Sequence, residues 1–335
     1  MDGDHHGRSG SHIHARPIAP DVNKLAVCLM GPTATGKTDV AIELCEKYPL
    51  DIISVDSALV YRYMDIGTAK PDRETLKRAP HRLVDIRDPE QAYSAGDFVR
   101  DAEAAMQEIF AAGRVPLLVG GTMMYYRALI DGIANLPSGD AAIRSKIDAE
   151  AEQHGWPAVH ARLRELDAVA ADRIKPNDSQ RIQRALEVYE ISGRSLTDWH
   201  QSSPKKSPDA EITYLKVALD VADRKVLHAR IEHRLDLMFN NGFVNEVDGL
   251  RKRVGLTRDM PSMRSVGYRQ VWAHLEGEYT LDESRYRALV ATRQLAKRQF
   301  TWLRSESNLY SVDALEAGRV GSISKFLAEN HPILG

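Results

Sequence analysis

The sequence predicts an α/β fold: a parallel sheet covered on both faces by helices, with a helical insertion. Three observations predict it. Short apolar runs suited to buried strands alternate with helix-period patterns over residues 24–133. A glycine-rich loop joins the first such strand to the first helix, and from Asp140 to Ser192 the pattern is helical with no convincing strand.

Leu25–Met30 is an apolar run of strand length, and Val40, Ala41, Leu44, Cys45 and Tyr48 follow it at helical spacing. Ile52–Val55 reads as a second strand and Arg82–Ile86 as a weaker third. Ser94 is placed to cap a helix with Phe98, Val99, Ala102, Met106, Ile109 and Phe110 on its apolar positions. Gly113 ends that helix, and Val115–Val119 is the next buried strand. Past Gly132 the strands stop. Ser202–Asp209 (SSPKKSPD) is a polar, proline-bearing linker, and Ile212–Leu219 reads as a strand returning to the sheet. Beyond it the chain is mostly helical, with a long helix from about Leu281 to Leu303. The expected organisation is a disordered tail over 1–23, a core of 24–133 and 210–335, and a helical insertion over 134–209.

The 335 residues suffice for one large domain or two modest ones, and 43% hydrophobic with 27% charged residues is ordinary for a soluble globular protein. Cys28 and Cys45 sit in apolar stretches without metal-type spacing, so they read as core thiols of a reducing, cytoplasmic protein. No run of about 18 apolar residues is present, which excludes a spanning helix and a membrane role. The first two dozen residues lack the apolar stretch of a secretory signal. Their His5, His6, His12 and His14 belong to a solvated tail. A net charge of −2 does not advertise a nucleic-acid partner, so only local clustering of charge argues for one.

Gly31-Pro32-Thr33-Ala34-Thr35-Gly36-Lys37-Thr38 fits the phosphate-loop pattern G-x-x-x-x-G-K-S/T completely, between a predicted strand and a predicted helix. The two glycines let the backbone curl so that successive N–H groups face a phosphate, and the helix N-terminus adds its positive end. Lys37 brings a point charge to the terminal phosphates, and the Thr38 hydroxyl is suited to Mg²⁺. The core is thus P-loop NTPase-like. The later strand ends Leu117-Leu118-Val119-Gly120-Gly121, without a carboxylate in the usual metal-holding place, which argues against an ATPase or GTPase motor. A small-molecule kinase survives this test.

Asp56 closes the second strand. Ligands of open parallel sheets bind outside the carboxyl ends of the strands, so Asp56 and the phosphate loop belong to one crevice. A carboxylate repels a diphosphate. Its natural task there is to accept the proton of an acceptor's N–H or O–H, and the plainer alternatives are a helix cap, shared with Ser57, or an indirect contact to a metal.

Ile53–Pro71 (ISVDSALVYRYMDIGTAKP), Leu117–Thr122 (LLVGGT), Asn177–Gly193 (NDSQRIQRALEVYEISG), Arg264–Gln270 (RSVGYRQ) and Ala291–Arg304 (ATRQLAKRQFTWLR) together resemble the tRNA dimethylallyltransferase (isopentenyltransferase) family. The likeness runs in order from about Leu25 to Arg304. It implies a dimethylallyl transferase of the bacterial type without a zinc finger. The phosphate loop, Gly31 to Thr38, would hold dimethylallyl diphosphate rather than ATP. The acceptor would be the exocyclic amine of the adenosine 3′-adjacent to the anticodon, in the tRNA anticodon stem-loop.

Position by position, the resemblance makes Asp56 the catalytic base, Thr122 a neighbour of the reacting centre and Arg234 the grip on the diphosphate. Thr33 becomes a substrate contact and Thr38 the Mg²⁺ and diphosphate contact. For tRNA it implies Asp56, Ser57, Ala58, Leu59, Thr122 and Arg144; Gln180, Arg181, Ile182, Gln183 and Arg184; Arg264, Ser265, Val266, Gly267, Tyr268 and Arg269; and Lys297, Arg298 and Arg304. Two departures stand out: Leu59 replaces a common Gln, and Met123 a common Gly, which narrows the pocket beside Thr122.

Local charge agrees with an RNA partner. Arg285, Arg287, Arg293, Lys297, Arg298 and Arg304 fall in a stretch without an acid, with Tyr286, Phe300 and Trp302 among them. Arg293, Lys297 and Arg304 share a helical face, and Arg181 and Arg184 lie one turn apart, opposite Ile182, Ala185 and Tyr189. Such faces grip phosphates and stack bases, although a solvated basic helix with core aromatics carries the same pattern. A monomer is expected. The rival readings are the small-molecule kinase and a non-catalytic RNA-binding protein with a relic loop.

Overall fold

The structure, a computed structural model, describes residues 24–134, 136–202, 212–330 and 334. The expectations for the tail and most of the 202–209 linker lie outside these residues. The chain divides into two compact units, Met1–Leu129 with Ala210–Gly335, and Ile130–Asp209.

The first unit opens β1 (Lys24–Met30), α1 (Lys37–Lys47), β2 (Leu50–Val55), α2 (Arg73–Arg78), β3 (His81–Arg82), α3 (Ala95–Ala111), β4 (Val115–Gly120) and α4 (Met123–Asp131), which runs across the boundary into the second unit. The second unit holds α5 (Ala141–His154), α6 (Trp156–Leu166), α7 (Ala168–Arg173), α8 (Ser179–Ser192) and α9 (Leu196–Ser202). The first then resumes with β5 (Ile212–Asp220), α10 (Arg224–Asn240), α11 (Phe243–Arg251), α12 (Tyr268–Leu275), α13 (Leu281–Leu303), β6 (Leu309–Asp313) and α14 (Arg319–Asn330).

All six strands pair in parallel, in the order β3-β2-β4-β1-β5-β6. The central strands β1 and β4 are buried along almost their whole length, as apolar runs covered on both faces must be. Two edges depart from the sequence reading. The expected strand Arg82–Ile86 is only His81–Arg82, because Leu83 (φ 63°) and Asp85 (φ 56°) take left-handed backbone that ends pairing. β6, which no apolar run announced, pairs at the opposite edge and buries only Val312 of its five residues.

Helix ends follow local chemistry. Ser94 and Asp97 form a reciprocal capping box on α3, which buries Phe98, Ala102, Ala105, Met106 and Ile109. Asp178 and Thr280 cap α8 and α13. The second unit has its own core, built on Ile147, Val159, Leu163, Ile182 and Leu186. Each such fully buried aliphatic side chain contributes about 1.5–3 kcal/mol. Among the described residues no helix is long and apolar enough to cross a membrane.

Candidate active site

Register brings the site together. Met30 of β1 and Val55 of β2 both pair with Gly120 of β4, so three adjacent strands end at one level. The residues that follow them, Gly31, Asp56 and Gly121, therefore emerge side by side. Gly120 must lack a side chain, since a Cβ there would lie 2.0 Å from the Val55 carbonyl oxygen.

The loop after β1 curls through Ala34 (φ 65°) and Gly36 (φ 86°) into α1. The buried Thr35 hydroxyl donates to the Pro32 carbonyl at 2.9 Å, and the Arg230 Nε of α10 donates to the Ala34 carbonyl at 2.8 Å. No side chain caps α1, which leaves its first-turn N–H groups available to an anion. Lys37 folds back, its Nζ donating to the carbonyls of Gly31 (2.9 Å) and Pro32 (2.6 Å). Burial lowers its pKa to about 7, and the nearby Arg234 charge pushes the same way against the opposing pull of Asp56.

Arg234 reaches the same place from α10, and its Nη2 donates to the Thr68 carbonyl at 3.3 Å. Burial lowers its pKa while Asp56 counteracts. Lys37, Arg234 and Asp56 thus lie near enough for their charges to act on one another.

At Asp56, Oδ1 accepts from the N–H groups of Ala58 (2.8 Å) and Leu59 (3.1 Å). Oδ2 takes no partner among the described residues, so capping and base chemistry are compatible in one carboxylate. The Ser57 N–H donates to the Thr122 hydroxyl at 3.2 Å, joining the ends of β2 and β4. Met123 turns inward and is buried at the start of α4.

Residues without an assigned role in the sequence reading hold this geometry. Glu246 of α11 accepts from the N–H groups of Asp65, Ile66 and Gly67 and from the Tyr268 hydroxyl. Lys70 donates to the Tyr61 carbonyl and to both Asp65 and Asp85. Together they fix the segment that follows Asp56. Gln299 of α13 accepts from the Thr33 N–H and donates to the Gly121 carbonyl. Single acids and amides far along the chain carry no periodic signal, and only the fold brings them here.

Among the residues expected to touch RNA, some have buried side chains. Ile182 is fully buried in the core of the second unit, and Tyr268 is fully buried with its hydroxyl on Glu246, so neither presents a surface. Their neighbours enclose both side chains, so any contact with RNA there would fall to the residues around them. Gly267 is buried too, and its positive φ of 92° starts α12. Arg264 and Arg269 are exposed, and Ser265 and Val266 half-buried.

On α13, Arg285 pairs with Asp236 and Arg293 with Glu232, each at 2.9 Å, so acids from α10 answer part of a face that looks purely basic in sequence. Lys297, Arg298 and Arg304 stay exposed with no ion pair among the described residues. Phe300 is core, and the Arg127 guanidinium lies 4.6 Å from the Trp302 ring centroid.

In the second unit Arg144 and Arg184 share the buried carboxylate of Glu187, Arg181 pairs with Asp178, and Gln183 donates to Asp148. Gln180 is exposed.

The model of the IPP transferase family matches residues 59–306. Among solved structures, the full-length tRNA isopentenylpyrophosphate transferase of Bacillus halodurans is 34% identical, with TM-score 0.67, over 93% of this chain and 97% of that one. The tRNA delta(2)-isopentenylpyrophosphate transferase of Staphylococcus epidermidis is 28% identical, with TM-score 0.65, over 92% and 100%. A eukaryotic dimethylallyltransferase acting on tRNA shares the fold at 24% identity and TM-score 0.76, over 92% of this chain and 80% of its own.

Proposed function

The chain belongs to the IPP transferase family, and on that premise we propose how its residues perform prenyl transfer. It is a tRNA prenyltransferase that uses dimethylallyl diphosphate. The observation that carries the mechanism is that the phosphate loop after β1 and Asp56 after β2 emerge at one level on either side of β4, with Arg234 of α10 near enough for its charge to act on both Lys37 and Asp56.

The acceptor is the exocyclic amine of the adenosine 3′-adjacent to the anticodon. That amine is a weak nucleophile, so the carbon it attacks must become electrophilic. As the allylic C–O bond lengthens, positive charge spreads over the allyl group and the electron pair leaves with the diphosphate. Loop N–H groups, Lys37 and Arg234 face that growing negative charge, which is where fixed charges lower a barrier most. The amine nitrogen bonds to the allylic carbon, and its proton passes to Asp56 Oδ2. The base must leave its stack to reach Asp56, at about a few kcal/mol.

Thr38 sits in the first turn of α1, and its hydroxyl takes no partner among the described residues. These residues also contain no cluster of three His, Cys, Asp or Glu suited to a metal. A hard hydroxyl oxygen without a partner at the phosphate loop fits Mg²⁺, which Thr38 would hold alongside the bound diphosphate. The ion's chemistry when bound would be to neutralise charge on the departing diphosphate.

The test combines purified protein, unmodified tRNA and Mg²⁺ with labelled dimethylallyl diphosphate or labelled ATP. Label passing from the prenyl donor to the adenosine supports the reading. Phosphoryl transfer from ATP, or RNA binding with neither transfer, overturns it.

A further inference from the structure

Gln299 lies on α13 between the exposed Arg298 and the core residue Phe300, and it is only 8% exposed. Both atoms of its amide bind backbone. Oε1 accepts from the Thr33 N–H at 3.1 Å, and Nε2 donates to the Gly121 carbonyl at 2.9 Å. Thr33 belongs to the phosphate loop. Gly121 precedes Thr122, whose hydroxyl receives the Ser57 N–H beside Asp56. One side chain thus spans the loop on the leaving-group side and the turn on the base side.

The surroundings are shaped to this amide. A Cβ on Gly121 would lie 2.4 Å from Gln299 Nε2 and 3.1 Å from the Gly31 carbonyl oxygen. A glycine-bearing loop has many curls available, and each N–H it leaves undirected must be reoriented when the anion arrives. An amide fixed beforehand removes that reorganisation, and charge stabilisation of a leaving group depends on such preorganisation. The glutamine amide accepts at one atom and donates at the other whatever the pH. An ionised glutamate would still accept from Thr33. It would repel the Gly121 carbonyl and set a negative charge near the diphosphate.

Resting on the donor reading above, we propose that Gln299 is a positioning residue for prenyl transfer, one that sets the phosphate loop against the Asp56–Thr122 turn. It touches no reacting atom. Its action runs through Thr33 and Gly121, so its loss weakens grip on the diphosphate and slows the chemistry while sparing RNA affinity.

The experiment compares Gln299→Glu and Gln299→Leu with the unaltered chain. It reads inorganic pyrophosphate affinity by calorimetry, prenyl transfer at saturating substrates, and tRNA affinity by filter binding. Both variants are expected to lose about tenfold or more in pyrophosphate affinity and in kcat, the scale of one misplaced charge-stabilising group. Their tRNA affinity should stay within about threefold. The two variants separate with pH. A buried glutamate has a raised pKa, so from about pH 8 to about pH 5.5 the carboxyl of Gln299→Glu gains a proton and with it a donor to Gly121. Its kcat relative to the unaltered chain should rise several-fold over that range, while the ratio for Gln299→Leu stays flat; loss of packing alone would leave both flat.

Hydrogen exchange on the unaltered protein decides the matter even where a variant fails to fold, because the Thr33 amide should be strongly protected without any ligand. An unprotected Thr33 amide, or variants with unchanged pyrophosphate affinity and kcat, overturns the proposal. If the unaltered chain neither binds pyrophosphate nor prenylates tRNA, the donor reading itself falls, and this one with it.

Discussion

At Asp56 one carboxylate oxygen is anchored on the Ala58 and Leu59 N–H groups, and the other has no partner among the described residues. Asp56→Asn keeps an Oδ1 acceptor for those two bonds and replaces the basic oxygen with an NH₂ group. Single-turnover transfer should fall by about 10² or more, the usual scale for a lost general base, with tRNA affinity unchanged within a few-fold. Near-normal turnover would remove Asp56 from the base role.

Lys37 gives a second test at the same scale. Its pKa of about 7 in the free protein means that it is largely neutral above that pH. A bound diphosphate favours the ammonium, so binding above pH 7 takes up a proton and pyrophosphate affinity falls as pH rises further. Calorimetry in buffers of different ionisation enthalpy reads that uptake, which Lys37→Ala should abolish. For folding the sign is opposite. The unfolded chain holds more protons between about 7 and the ordinary lysine value, so the ligand-free protein gains stability as pH rises through that window.

Among the elements, α8 shows how a helix face is organised from beneath. Glu187 is fully buried, and it receives Arg144, Arg184 and the Asp140 N–H, while Arg184 also donates to the Pro137 carbonyl. Burial alone would raise the carboxyl's pKa, but the hydrogen bonds from these partners outweigh it and hold the pKa below the ordinary value. Glu187→Ala leaves two guanidinium groups and a backbone N–H without their acceptor. A buried pair broken this way costs about 3–5 kcal/mol, and the low end applies because Arg144 is half exposed. Thermal unfolding should show that loss at neutral pH. The difference from the unaltered chain should shrink in acid, because a depressed carboxyl gives up its contribution as pH falls through its folded pKa. A variant as stable as the parent would mean that the arginines find other acceptors.

For the molecule as a whole, the puzzle is how a chain of net charge −2 holds a polyanion. The answer proposed here is local: α10 neutralises Arg285 and Arg293, while Lys297, Arg298 and Arg304 keep their charge free. Each phosphate contact adds about 0.7–0.9 to the dependence of log affinity on log salt. Lys297→Ala should therefore weaken tRNA binding and flatten the slope by about one unit. Arg293→Ala should change the slope much less, because Glu232 already answers its charge. Titrations at several salt concentrations compare the two, and equal effects would show that RNA displaces Glu232.

By itself the sequence determined the features that are local in the chain: the phosphate loop between β1 and α1, the Ser94 cap, the span of α13, and the placement of Asp56 at the end of a strand. Periodicity, capping and loop chemistry act over a few neighbouring residues, so they can be read without knowing the fold. The family likeness also came from contiguous motifs. Tertiary structure alone decided what depends on contacts across the chain. β6 carries too little apolar signal to be seen until β5 offers it an edge. Tyr268 sits in a motif expected to touch RNA, yet packing encloses it. The acids on α10 reshape a basic face more than forty residues away in sequence, and Gln299 reaches a loop 266 residues before it. Such pairings rest on a side chain's reach through space, which no spacing along the chain records.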